Sequence, residues 1–199
     1  MLGIEANKEK IIELLRSTNR EGVEELIRFL ETSTYFTCPA SVRHHNNCPG
    51  GLADHSLKIY YILKNKVKMH KLDVNEDSII LVSLLHDLCK VDTYELQTKW
   101  KKDDRGKWQS YLSYASNGDY KALPHGTSSM FIAQQYIRLT EEEASAIANH
   151  MGAYGLSNTN DLGYAYKKFP LTLLLHHADA ESAYIHEEEY PMDAIPGLE

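Results

Sequence analysis

A histidine and an aspartate, His86 and Asp87, follow an almost uninterrupted apolar run from Ile79 to Leu85. Only Ser83 interrupts this run, and such a pattern is typical of a central helix that is buried on all sides. A buried carboxylate without a partner costs several kcal/mol or more, because it loses its hydration. Asp87 therefore requires a partner, which other parts of the chain must supply.

Further imidazole and carboxylate groups lie at the ends of other predicted helices or within them: His55, His125, His150 and Asp179. A helical bundle can bring such groups together although they are far apart in the sequence. A shared divalent cation would neutralise the carboxylates and accept lone pairs from neutral imidazoles. Nitrogen and oxygen ligands without a thiolate suit Mn, Fe, Ni or Zn, and an oxygen-rich position suits Mg.

The alternative interpretation is that these histidines have ordinary structural roles. A histidine-aspartate dipeptide occurs by chance in many proteins, and His176 is placed to hydrogen-bond Asp179 one helical turn later. His70 and His186 are expected at the surface. The ordered set of residues, with a carboxylate inside each of two apolar helices, favours the metal site.

Composition and charge limit the classes of protein to which the chain can belong. Its 199 residues suit one domain, and its net charge of -7 disfavours a duplex-DNA-binding protein, which needs a strongly basic surface. Three cysteines without a CxxC pair indicate free thiols in a reducing compartment. No apolar run reaches the ~18 residues that span a bilayer. We therefore expect a cytoplasmic protein that binds neither duplex DNA nor a membrane.

The elements that must position these residues are mostly helical. Apolar spacing predicts helices over about 7–17, from about 19 to beyond 30, over about 52–69 and 77–89, from about 126, and over about 141–151 and 170–186. Thr140 and Glu143 form a capping box, and Pro170 suits the start of the last helix. Residues 92–116 are aromatic-rich around the turn sequence DDRG, which predicts a β-hairpin. The acidic end of the chain is expected to be solvated.

A series of motifs resembles those of the HD superfamily of metal-dependent phosphohydrolases: HHNNCPGGLADHSLKI, LLHDLCK, LPHG, ANHMG and HHADAESA. The first is similar to the HH…GGL…H segment of HD-type 3′-to-5′ exoribonucleases and of HD domains linked to conjugative relaxases. The resemblance implies an all-α fold, an HD-domain helical bundle with a small β-hairpin insert. It implies a single HD domain with N-terminal helices over 1–34, a metal-binding core over 35–186 with the hairpin insert at 92–116, and an acidic tail over 187–199.

The resemblance also implies roles for individual residues. Four of them match the ligands of a first metal: His55, His86, Asp87 and Asp179. His125 and His150 match the histidines that hold a second metal in dinuclear members, with Asp87 as the bridge. Lys90 matches the lysine that binds or polarises a phosphate oxygen. Two divalent metal ions are therefore expected, with Asp87 and Lys90 as the catalytic residues.

The loop before His55 carries three candidates for substrate binding: Arg43, His44 and His45. We expect them to hold a phosphate or to protonate the leaving group, and the alternative is ordinary loop residues with local hydrogen bonds. Four aromatic residues would offer a stacking face for a base, or would simply pack the hairpin onto the bundle: Trp100, Trp108, Tyr111 and Tyr114.

The implied reaction is hydrolysis of a phosphoester, preferably a phosphodiester, in a nucleotide or a short single-stranded oligonucleotide by metal-activated water. The oligonucleotide-binding domain of the exoribonucleases has no counterpart before residue 35, so a long RNA substrate is not expected. Two alternatives stay open: a nucleotidase or (deoxy)nucleoside triphosphatase, and a non-catalytic nucleotide-binding sensor module. A sensor would not need Lys90 and the whole ligand set.

Overall fold

The computed structural model describes residues 3–118, 121–155 and 159–198. Within these residues the chain forms eight helices and one two-stranded antiparallel hairpin, which confirms the predicted, mostly helical fold with a hairpin. The helices are α1 (Ile4–Ser17), α2 (Val23–Thr32), α3 (Gly51–His70), α4 (Glu76–Leu85), α5 (His125–Ala133), α6 (Glu141–Asn149), α7 (Thr159–Lys168) and α8 (Pro170–Glu181). The strands are β1 (Tyr94–Lys102) and β2 (Trp108–Ser116). None of the helices in these ranges combines the length and the apolar character of a bilayer span.

Helix α4 lies at the centre of the bundle, in contact with α1, α3, α5 and α6. Its residues from Ser78 to Leu85 are all buried, as the apolar sequence predicts. Asn75 caps the first turn, because its side chain accepts a hydrogen bond from the backbone N–H of Asp77. Each buried leucine or isoleucine contributes about 1.5–3 kcal/mol, so this helix anchors the bundle. Because α4 ends at Leu85, the residues that follow it start from the inside of the protein.

A buried glutamate joins α6 to two other parts of the bundle. Glu143 forms the predicted capping box, in which it exchanges hydrogen bonds with Thr140 at the start of α6. Its side chain is fully buried, and it also accepts a hydrogen bond of 2.7 Å from the Ser78 hydroxyl of α4. The guanidinium of Arg20, in the turn between α1 and α2, completes the set as an ion pair. Glu143 therefore holds α6 against α4 and against the N-terminal helices.

The predicted hairpin is confirmed, with β1 and β2 paired residue for residue from end to end. Asp103 closes the turn, because its carboxylate accepts hydrogen bonds from two backbone N–H groups. Trp100 and Trp108 are 61% and 59% exposed, whereas Tyr114 is buried. Tyr114, rather than the two tryptophans, therefore attaches the hairpin to the rest of the protein.

Three helix predictions differ from the structure. Helix α4 ends at Leu85 rather than near Cys89, because Asp87 leaves the helical conformation. Helix α2 begins at Val23 rather than near Asn19, because Asn19 and Gly22 both take left-handed backbone conformations, with φ of 49° and 84°. At Gly22 a Cβ atom would also collide with the backbone oxygen of Tyr136, so that glycine is required there. Helix α7 was not predicted, because its sequence TNDLGYAYKK has few apolar residues and a central glycine.

The prediction of a solvated acidic tail holds only for part of the segment: Glu188 and Glu189 are exposed, but other residues are packed. The Glu187 side chain is fully buried, and Ile195 is buried in a small apolar cluster with Tyr114. Tyr190 exchanges two hydrogen bonds of 2.8 Å with the side chain of Asn47. The end of the chain therefore packs across the loop that precedes α3. The few residues that attach it cannot be recognised from its acidic composition.

We predict that Glu143→Ala lowers the free energy of unfolding by about 2–4 kcal/mol, because it removes the helix cap and the buried partner of Arg20. Urea-induced unfolding followed by circular dichroism measures the difference. The control is Glu142→Ala, one residue earlier and only partly buried, which should cost less than about 1 kcal/mol. Equal losses for the two variants would contradict the role given to Glu143.

Candidate metal centre

The structure brings the six predicted metal ligands together in one cluster: four imidazoles surround the Asp87 carboxylate, and Asp179 contacts one of them, that of His55. They come from five helices or from the residues that flank them: His55 in α3, His86 and Asp87 after α4, His125 at the start of α5, His150 after α6, and Asp179 in α8. Ends or faces of five helices thus meet at one point.

The two oxygens of Asp87 face two different sets of imidazoles. Oδ2 lies 3.3 Å from Nε2 of His86 and 3.6 Å from Nε2 of His55. Oδ1 lies 2.6 Å from Nε2 of His125 and 3.6 Å from Nε2 of His150. The backbone makes this possible, because Asp87 leaves the helical conformation, with φ of -110° and ψ of 20°. The carboxylate therefore stands between two groups of nitrogen ligands.

His125 and His150 are held side by side by a close contact between two helices. His125 is the first residue of α5, and His150 directly follows α6. At Gly126 the two backbones approach so closely that a Cβ atom would lie 2.4 Å from the carbonyl oxygen of Ala148. Only glycine fits there. This contact holds the centroids of the two imidazole rings 5.3 Å apart.

Three of the imidazoles are held through Nδ1, which leaves Nε2 for the centre. Nδ1 of His86 donates to the backbone oxygen of Ser83 at 2.9 Å, and Nδ1 of His150 donates to that of Ile147 at 2.7 Å. A carbonyl oxygen can only accept, so Nδ1 carries the proton in both rings. Nδ1 of His55 lies 2.7 Å from a carboxylate oxygen of Glu187. In metal sites such bonds orient the imidazole and fix its tautomer.

The spacing of the inward atoms fits a metal ion. Nε2 of His55 lies 3.3 Å from Nε2 of His86 and 3.3 Å from Oδ1 of Asp179. Ligand atoms that bind one cation at ~2.0–2.2 Å are separated by roughly 2.8–3.6 Å in tetrahedral or octahedral geometry. Nε2 of His150 is buried and has no hydrogen-bond partner among the described residues. A cation would give these lone pairs a partner, so the cluster could hold a metal ion.

The carboxylates of the centre stay ionised although Asp87 is buried and Asp179 is partly buried. Burial raises the pKa of Asp87, but the Lys90 ammonium, 2.6 Å from Oδ2, and the surrounding imidazoles hold that pKa well below its usual range. Burial likewise raises the pKa of Asp179, and the hydrogen bond and charge of His55 outweigh it, so that the net shift is downward. One buried and one partly buried negative charge therefore face the centre.

Two imidazoles of the centre have pKa values that are shifted in opposite directions. Burial lowers the pKa of His86, which keeps that ring neutral and free to bind a metal. Burial also lowers the pKa of His55, but hydrogen bonds to Asp179 and Glu187 outweigh it and raise the pKa to about 9. A centre that attracts a proton to a buried imidazole this strongly also attracts a metal cation, which would replace that proton.

A cavity of about 510 Å³ opens onto the centre. Asp87, Lys90, His125 and Asp179 line its inner part, and Tyr154 and Tyr184 line it while their side chains remain largely exposed. The cavity therefore has a charged floor and an aromatic rim. A volume of roughly 300–1,000 Å³ is typical of pockets that bind small molecules.

The structure separates the three residues predicted to bind substrate. His44 and His45 line the cavity, and Nδ1 of His45 lies 2.9 Å from the Glu187 carboxylate. Arg43 is exposed and lines a different groove, next to Tyr190. His44 is largely exposed and lines that groove as well as the cavity, so the loop turns only His45 inwards. The prediction for Arg43 is not supported by the position of its side chain.

The positions of three other histidines agree only in part with the alternative interpretation, in which they have ordinary structural roles. His70 and His186 are exposed. His176 does not make the expected bond to Asp179; its Nδ1 instead donates to the backbone oxygen of His150 at 2.7 Å. His176 therefore supports the segment that carries a candidate ligand.

Two residues near the centre were missed by sequence reasoning. Glu187 contacts both His45 and His55, but no signal distinguishes it from the two glutamates that follow it in the sequence. Cys89 places its sulfur 3.2 Å from Nδ1 of His125. Burial, together with the nearby Asp87 charge, raises the pKa of the Cys89 thiol to about 12. With Asp87 and His125, Cys89 forms a group of side chains that could hold a metal ion.

Comparisons of the chain with protein-family models, with curated proteins and with solved structures give no match. Any functional interpretation therefore depends on the motifs and on the geometry of the centre described above.

We predict that Mn²⁺, added to chelator-treated protein at about 100 times its Kd, raises the melting temperature by roughly 5–10 °C, because it binds only the folded centre. Differential scanning fluorimetry measures the shift. Asp87→Asn should abolish it, whereas His70→Ala, at an exposed histidine, should leave it unchanged. An equal shift in wild type and in Asp87→Asn would mean that Mn²⁺ binds elsewhere.

Proposed function

We propose that this protein is a metal-dependent phosphohydrolase of the HD superfamily, which cleaves a phosphoester of a nucleotide or short single-stranded oligonucleotide. The observation that carries the proposal is the convergence of six histidine and aspartate side chains, predicted as ligands from ordered motifs, in one cluster. Three of them, Asp87, His125 and Asp179, line the floor of a cavity. Lys90 lies at the same floor. Histidines that were present by chance would not be expected to converge in this way.

The arrangement around Asp87 supports a centre for two metal ions. Oδ2 faces His55 and His86, whereas Oδ1 faces His125 and His150. One carboxylate with nitrogen ligands on both sides is suited to bridge two cations. The ligand types suit Mn, Fe, Ni or Zn, with Mg at an oxygen-rich position.

A pair of bound divalent cations would supply Lewis acidity and a water of lowered pKa at neutral pH. The Lys90 side chain supplies positive charge: burial lowers its pKa, but the attraction of Asp87 outweighs this, and the net shift is upward. Its ammonium lines the cavity, where it can bind a phosphate oxygen and stabilise charge that develops there. Nδ1 of His45 is bound to Glu187, so its Nε2 is the nitrogen available to protonate a leaving group.

The rim of the cavity supports a nucleotide substrate. Tyr154 and Tyr184 are 93% and 89% exposed and both line the opening. Exposed aromatic rings beside a phosphate site provide faces on which a base can stack. The limited volume of the cavity, about 510 Å³, also favours the alternative of a nucleotidase or nucleoside triphosphatase that acts on a single nucleotide.

We predict that the Mn²⁺-loaded protein hydrolyses at least one member of a panel of mono-, di- and cyclic nucleotides and short single strands. Lys90→Ala should retain the metal and lose about two to four orders of magnitude in rate, because a charge that stabilises the transition state is removed. Released phosphate and separated products report the reaction. His70→Ala is the control for an exposed side chain. Metal binding without hydrolysis of any member would favour the sensor module instead.

We further predict about two metal ions per chain in wild type and about one in the His125→Ala/His150→Ala double variant, because Oδ1 of Asp87 then loses its nitrogen neighbours. Elemental analysis of Mn²⁺-loaded, desalted protein gives both ratios. One ion in each protein, with equal activity, would indicate a mononuclear centre and would remove the preference for phosphodiesters.

A further inference from the structure

The end of the chain, Glu187–Leu198, forms a strap across the loop that precedes α3. The backbone N–H of Asn46 donates to the backbone oxygen of Glu188 at 2.8 Å, and Asn47 and Tyr190 exchange two further bonds. Ile195 is buried at the far end of the strap. The strap is therefore attached at several points, and its first residue has a defined position.

That first residue, Glu187, is a fully buried carboxylate. Oε1 accepts a hydrogen bond of 2.7 Å from Nδ1 of His55 and a further bond from the Ser182 hydroxyl. Oε2 accepts a bond of 2.9 Å from Nδ1 of His45. Because an unpaired buried carboxylate is costly, these donors explain how the charge is tolerated, but not why it is there.

The two histidines that Glu187 holds face different parts of the site. Nε2 of His55 lies 3.3 Å from both Asp179 and Nε2 of His86, in the ligand cluster. His45 lines the cavity. The two nitrogens of an imidazole lie on opposite sides of the ring, so a carboxylate that holds Nδ1 turns Nε2 away from itself. Nε2 of His55 is thereby turned towards the ligands, and Nε2 of His45 towards the cavity.

We propose that Glu187 is a positioning residue, which orients His55 for metal binding and His45 for the substrate, so that the centre is complete only when the strap is seated. The proposal deepens the proposed function and rests on it for the role of His45. His86 and His150 donate from Nδ1 to carbonyl oxygens three residues earlier in their own helical turns. His55 lies inside α3, where backbone carbonyls are already bonded, so a side chain from elsewhere must hold its Nδ1.

The test compares Glu187→Gln with Glu188→Gln in the full chain. The same change of charge is made in both, but the Glu188 side chain is exposed. The amide that Glu187→Gln introduces has a single acceptor oxygen, and its NH₂ group opposes one of the two imidazole N–H donors. Zn²⁺ affinity, measured by competition with a chromophoric chelator, should fall by about 10–100-fold in Glu187→Gln. It should change by less than about threefold in Glu188→Gln, because that carboxylate holds no ligand.

A second readout needs no variant and no activity. In the ¹H–¹⁵N spectrum of Zn²⁺-loaded wild type, Nδ1–H of His55 should give a downfield imidazole resonance that exchanges slowly with water, because it is buried and bonded to Glu187. The proposal is overturned if wild type lacks this resonance, or if a folded Glu187→Gln binds Zn²⁺ as tightly as wild type. Weaker Zn²⁺ binding in Glu187→Gln, with no nucleotide hydrolysed by wild type, would support the positioning role while the proposed reaction failed.

Discussion

The ionised carboxylate of Asp87, at the end of a helix that is buried on every side, is the constraint on which the rest of the structure depends. A charge in that position destabilises the fold unless cationic or hydrogen-bonding groups surround it. Lys90, the adjacent His86 and the imidazoles of three other segments provide them. The helices of the bundle therefore meet at this carboxylate for a reason of stability, and the same arrangement creates the centre.

At two helix ends in this protein, one hydrogen bond both satisfies a backbone carbonyl oxygen and orients a candidate ligand. The last carbonyl oxygens of an α-helix have no partner within the helix. At the ends of α4 and α6, the imidazoles of His86 and His150 donate to such oxygens, those of Ser83 and Ile147. Each bond satisfies a carbonyl of the helix and fixes the tautomer of a candidate ligand. The chemistry of the centre is thus partly a product of how the helices terminate.

Much of this could be predicted from the sequence, for identifiable reasons. The apolar run before His86 predicts a buried helix, and Thr140 and Glu143 predict a capped one, because both signals are local. The ligand set follows from motifs that each stay within a few residues. Glu187 could not be found in this way, since its role depends on contacts with His45 and His55, more than 130 residues away in the sequence. The same limit applies to Arg43. It is close to His45 in the sequence, but its side chain lines a different groove from the cavity.

The contact between α5 and α6 at Gly126 has a consequence for motion. Backbone packed directly on backbone leaves no side chain that could change rotamer, so His125 and His150 must move as one rigid wall. On the strap side, Glu187 lines the cavity and is held by side-chain hydrogen bonds from His45 and His55, which can break and reform singly. A cavity with one stiff wall and one wall of separable contacts should admit and release its ligand on the strap side, while the geometry of the stiff wall persists through the cycle.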